Sequence, residues 1–81
     1  MERSDLLELF RSTAEEIAEK DFSHVHEEMP IAELGIDSLG MLELVGAMER
    51  ELQIRVPDED LAGIQNIRQL LDLIQSKQSA S

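Results

Sequence analysis

Cysteine, tryptophan and tyrosine are absent from the 81 residues, and there are only two phenylalanines and two prolines. Without thiols no disulfide can staple the fold and no thiolate zinc site can form. With so few rings the core must be filled by Leu, Ile, Val and Met, and so short a chain has room for one modest core. Cations are scarce too: seven Lys and Arg face eighteen Asp and Glu, for a net charge of −11. Such a field favours a soluble monomer, disfavours nucleic acid and anionic membranes, and suits partners with basic surfaces. No run of about 18 apolar residues occurs, so no membrane span is expected. The opening Met1-Glu2-Arg3-Ser4-Asp5 lacks the basic and long apolar stretches of a secretion signal, which makes the cytoplasm the expected compartment.

What the sequence does contain is helical periodicity. From Ser4, a plausible N-cap, to Lys20, the residues Leu6, Leu7, Phe10, Ala14, Ile17 and Ala18 fall on one side, with Glu8, Arg11, Glu15 and Glu19 facing water. From Asp21 to Asp37 no period holds. Phe22, Val25, Met29, Ile31, Leu34 and Ile36 are spaced to pin this stretch across the helices as an ordered loop. A second helix begins near Asp37 or Ser38 and runs to about Leu52. Its broad apolar face is Met41, Leu42, Leu44, Val45, Met48 and Leu52, and its other side carries Leu39, Glu43, Gly46, Ala47 and Arg50. A short turn follows Pro57 and stops at Gly63, and a last helix starts at Asn66 with Ile67, Leu70, Leu71 and Ile74 as its stripe. The pattern predicts one all-α domain over residues 1–81. It is a small four-helix bundle with three longer helices, a short third helix and a long ordered loop between the first two. Residues 4–76 are expected to be ordered and 77–81 to form a flexible tail.

Catalytic chemistry finds no footing. A serine nucleophile needs a base and a group to orient it, and the two histidines, His24 and His26, have no evident orienting partner. They also make a poor metal site, because alternate residues in a loop rarely converge on one ion. Asp58-Glu59-Asp60-Leu61-Ala62-Gly63 starts like a calcium loop, but Ala62 and Gln69 stand where ligands are needed, so no metal site is expected. Ser38 remains. Serine is common at helix starts for hydrogen-bonding reasons alone. Here it is delivered by a pinned loop, followed by an apolar Leu39 that points away from the core, and placed where a helix N-terminus would favour an esterified phosphate.

Leu34-Gly35-Ile36-Asp37-Ser38-Leu39 resembles the attachment motif of acyl carrier proteins. The likeness continues through Glu43-Leu44-Val45, Glu49, Glu51-Leu52, Val56-Pro57-Asp58-Glu59, Ile64, Asn66-Ile67 and Ile74. It implies that Ser38, flanked by Gly35, Asp37 and Leu39, receives 4′-phosphopantetheine from coenzyme A through a phosphopantetheinyl transferase. The chain would then be a non-catalytic, freestanding carrier holding acyl groups as thioesters for fatty-acid, polyketide or related synthesis. Partners in the family dock on the second helix. Leu39, Glu43, Gly46, Ala47 and Arg50, with Glu49, Asp58 and Glu59 beside them, would therefore meet basic surfaces of acyl-transferring, ketosynthase or adenylating enzymes. Gly40, Gly46 and Arg50 depart from the common family pattern and make this surface smoother and less acidic. Two other readings stay open: a carrier of aminoacyl cargo, faintly resembled by Ser38-Leu39-Gly40, and a helical interaction module in which Ser38 is never modified.

Overall fold

The computed structural model describes residues 2–79. Its helices are α1 (Arg3–Ala18), α2 (Ser38–Leu52), α3 (Asp58–Leu61) and α4 (Ile67–Ser79), with a 3-10 turn at Ile31–Leu34 inside the long loop. Among the described residues the single extended pairing is an isolated antiparallel bridge between Pro30 and Asn66. The expected bundle is therefore present, with the short helix third.

The apolar stripes meet as their periods require. Leu6, Phe10 and Ala14 of α1, Leu44, Val45 and Met48 of α2, and Ile67, Leu70, Leu71 and Ile74 of α4 form one core. Phe22, Val25 and Leu34 of the loop and Val56 of the connector complete it, and no polar residue is buried among the described residues. Leu42 departs from the expected face: it is 43% exposed.

The start of α1 differs from expectation. Glu2 takes the N-cap position without a side-chain bond, and Ser4 lies exposed within the first turn. Helix begins at Arg3 because that side chain is anchored elsewhere. Its guanidinium donates to Glu27 at 2.7 Å, to Asp72 at 2.7 Å and to Gln75 at 2.6 Å, joining α1 to the loop and to α4. The hydrogen bond to Glu27, foremost, and that to Asp72 raise the Arg3 pKa above its ordinary value, against the opposing effect of partial burial.

Two residues expected to face water instead hold the loop. Arg11 Nε donates to the Val25 carbonyl at 3.0 Å, and the Glu15 carboxylate accepts from the Phe22 amide at 2.8 Å. Further along, the loop is stitched to the start of α4. Its carbonyls Met29 and Glu27 accept from the Ile67 and Arg68 amides at 3.2 and 2.9 Å, and the Ile31 amide donates to Gln65 at 3.0 Å. Helix N-termini leave amides unpaired, and here the loop supplies the acceptors. Asn66 caps the Gln69 amide at 2.9 Å, while the Gln69 side chain accepts from the amide of Gln65, one residue ahead of the cap, at 2.6 Å.

The start of the expected tail is helical instead. Lys77, Gln78 and Ser79 are helical, and Lys77 Nζ pairs with Asp60 at 2.9 Å, which ties the last turn of α4 to α3. A cation at a helix C-terminus also suits the helix dipole. Ala80 and Ser81, the rest of the expected tail, lie outside the described residues.

Candidate functional site

The loop reaches α2 through Gly35, which ends the 3-10 turn at φ +71°, a left-handed conformation that glycine adopts without strain. Two residues later Asp37 is the N-cap of α2, and its carboxylate accepts from the Gly40 amide at 2.7 Å. Ser38 is therefore the first helical residue, and it is exposed. Its hydroxyl has no hydrogen-bond partner among the described residues. The Ser38 and Leu39 amides, the two ahead of the capped Gly40, are likewise unpaired. The site thus presents a free hydroxyl beside two free donors at the positive end of a helix, the arrangement that accommodates a phosphate ester.

Beside this hydroxyl a cavity of about 770 Å³ opens between the loop, α2, α3 and the first turns of α4. Ile31, Ile36, Met41, Leu61 and Ile64 form much of its wall, Leu70 reaches it from the core, and Asp58 is its one charged lining residue. Ile36 and Met41 occupy the two positions of a hydrophobic staple around the Asp37 cap. A second, shallower groove of about 410 Å³ lies between α1 and α2, bordered by Ile17, Leu42, Glu43, Gly46, Ala47 and Arg50.

The structure distributes the other expected site residues unevenly. Leu39 is 66% exposed next to Ser38, and Glu43 and Arg50 are exposed further along the same helix. Gly46 and Ala47 are half-buried in the shallow groove. Asp58 and Glu59 are exposed on α3, across the cavity from Ser38. Glu49 is turned inward: its carboxylate accepts from the Val56 amide at 2.7 Å and fixes the connector after α2. His24 and His26 are exposed on the loop, with His26 Nδ1 3.4 Å from the Glu28 carboxylate. Among the described residues no group of three or more His, Asp or Glu gathers to hold a metal ion. No helix there is long and apolar enough to cross a membrane.

Sequence reasoning missed the tie between Gly40 and Ile36. A Cβ built at Gly40 would lie 2.6 Å from Ile36 Cγ2 and 3.2 Å from Asp37 Oδ1. Gly40 is thus a position of close approach at the head of α2. The signal was present as an apolar residue ahead of the cap and a glycine three residues after it. By contrast, a Cβ at Gly46 would meet nothing nearer than the Arg50 guanidinium at 3.9 Å.

A family model described as the phosphopantetheine attachment site matches residues 4–74. This chain belongs to that family. The fold agrees: the chain is 35% identical to the acyl carrier protein from Thermotoga maritima, with a TM-score of 0.90 over 99% of this chain and 94% of that one. The phosphopantetheine-attachment family consists of non-catalytic carriers whose prosthetic group, 4′-phosphopantetheine, is bound covalently. The residues present fit such a group. A free hydroxyl offers the ester oxygen, two unpaired amides face the place a phosphodiester would take, and an apolar cavity opens alongside. Such a group needs no base beside the hydroxyl, because in this family a separate phosphopantetheinyl transferase performs the attachment.

Proposed function

We propose that this chain carries acyl intermediates of fatty-acid, polyketide or related synthesis on an arm attached to Ser38, working as a monomer in the cytoplasm. The single observation that carries the reading is the free, exposed Ser38 hydroxyl at the first position of α2, beside unpaired amides and an apolar cavity. When attached, the prosthetic group supplies a terminal thiol that holds the cargo as a thioester. Asp37 holds the first turn of α2 by capping Gly40, and so keeps the Ser38 and Leu39 amides turned toward the ester. The cavity wall is aliphatic apart from Ser38, Asp58 and Gln65, which favours an alkyl cargo over a cationic aminoacyl one.

Incubating the chain with coenzyme A, magnesium and a broad-specificity phosphopantetheinyl transferase should raise its intact mass by one phosphopantetheine. Ser38→Ala should abolish the gain completely. No gain on the unsubstituted chain with a transferase of proven activity would reject the proposal.

Partner enzymes are proposed to approach along Leu39, Glu43, Gly46, Ala47 and Arg50, with Asp58 and Glu59 flanking. Glu49 contributes through the connector it holds. Arg50 has no ion-pair partner among the described residues, so it meets an incoming basic surface as an uncompensated positive charge. Gly46→Met and Arg50→Glu should each strengthen binding to a fatty-acid ketosynthase with a basic docking surface, Arg50→Glu most clearly at low salt. Unchanged affinity in both variants would remove this stripe from the interface.

A further inference from the structure

The steric tie at the head of α2 has a consequence for which cargo the cavity accepts. Ile36 lies in two environments at once: its Cγ2 occupies the space that a side chain at position 40 would fill, and the same residue forms part of the cavity wall beside Ser38. Contact between carbon atoms is ordinarily about 3.5–4.0 Å. With 2.6 Å available, any residue but glycine at position 40 would oblige Ile36 to move by about 1 Å. The chain on either side of Ile36 is held as well, since Asp37 is fixed by its cap to Gly40 and Leu34 is buried in the core. The glycine thus determines where one wall of the cavity stands at the end nearest the attachment serine.

We propose that Gly40 and Ile36 act as a pair that sets the bore of the cavity at its Ser38 end, and so sets the length of aliphatic acyl chain the protein shelters. Gly40 seats Ile36 against the first turn of α2, and Ile36 in that seat leaves the entrance open to a straight alkyl chain. Both are specificity-determining residues for cargo and neither takes part in attachment. The proposal rests on the carrier reading of Ser38.

The test loads the full chain with hexanoyl, octanoyl and decanoyl phosphopantetheine from the corresponding acyl-coenzyme A, confirms loading by intact mass, and compares melting temperatures with the unacylated holo form. A sheltered chain stabilises the folded state, so the wild type should melt higher when acylated. Gly40→Ala should lose more than half of that increment at every length. Ile36→Ala should move the largest increment to the longer chain. The double variant Ile36→Ala with Gly40→Ala should recover the increment, because truncating Ile36 removes the atom against which the new Cβ collides. If Gly40→Ala proves too unstable to melt cooperatively, the shift in Ile36→Ala alone decides. Increments in Gly40→Ala and Ile36→Ala that match the wild type at every length would overturn the proposal. So would acylation that leaves even the wild-type melting temperature unchanged, and in that case the attachment to Ser38 stands. Absence of any mass gain on loading would instead reject the carrier reading, and this proposal with it.

Discussion

Replacing Phe10 with Ala should lower the stability of the protein by about 3–5 kcal/mol, the steepest loss expected from one substitution. Phe10 is fully buried, heads the largest buried side chains of the core, and projects from α1 into the cluster shared with α2 and α4. The only other phenylalanine, Phe22, belongs to the loop and is itself buried in the same core, so it is already packed rather than free to spread into the void. No buried polar group stands nearby to bring in water, so the cavity stays empty and its lining loses contacts outright. Native domains are stable by about 5–15 kcal/mol, and small ones sit toward the lower end. The variant should therefore populate the unfolded state at ambient temperature. Urea titration followed by circular dichroism measures this directly. A midpoint within error of the wild type would show that α1 is not held by this residue.

Leu70→Ala is expected to cost about 2–5 kcal/mol, and its loss should depend on cargo. Leu70 is fully buried in α4 and also borders the cavity beside Ser38, so it stands between core and cavity. Truncation would join the new void to existing apolar space, and such space accepts apolar guests. Octanoylation of the loaded protein should then stabilise Leu70→Ala more than it stabilises the wild type, returning part of the loss. Phe10 does not border the cavity, and Phe10→Ala should show no such recovery. Paired melts of holo and octanoyl forms distinguish the two. Equal losses for Leu70→Ala in both forms would mean that cargo never reaches α4.

The helices were legible because their burial follows a simple period. The stripes of α1, α2 and α4 placed Leu6, Phe10, Leu44, Met48, Leu70 and Ile74 inside without knowledge of what they pack against. The start of α2 near Asp37 or Ser38 and the apolar anchors of the loop were readable for the same reason, since each is a local rule about neighbours in sequence. The missing parts depend on partners far along the chain. Arg11 and Glu15 fall on the polar side of α1 by period, yet both bond loop backbone that only tertiary folding brings near. Ser4 has the right chemistry for a cap, but Arg3 is anchored to Glu27 and Asp72, and the helix starts around that anchor. Lys77 looked like tail until Asp60 was found beside it. At the functional site, Ser38 was recognisable from its motif. Gly40 was noticed as a departure in surface chemistry, whereas its steric meaning required the position of Ile36.

The stitching of the loop to the start of α4 divides the cavity into parts of unequal compliance. Ile31 and Ala32 on one side and Ile64 and Gln65 on the next are joined across the Ile31–Gln65 and Met29–Ile67 hydrogen bonds, so this wall behaves as one plate. The opposite wall at α3 is four residues long, lacks a side-chain cap and buries none of its residues. Its ties are Leu61, partly buried against the core, and the Lys77–Asp60 ion pair, and a partly exposed pair of this kind contributes about 0–1 kcal/mol. On the proposed carrier reading, expansion to fit a bulkier guest would fall first on α3, while the plate, and with it the register of α4, keeps its place. On the same reading, enlargement of the interior would be uncoupled from loosening of the fold, and a partner gripping α2 would meet the same surface whether the interior is empty or full.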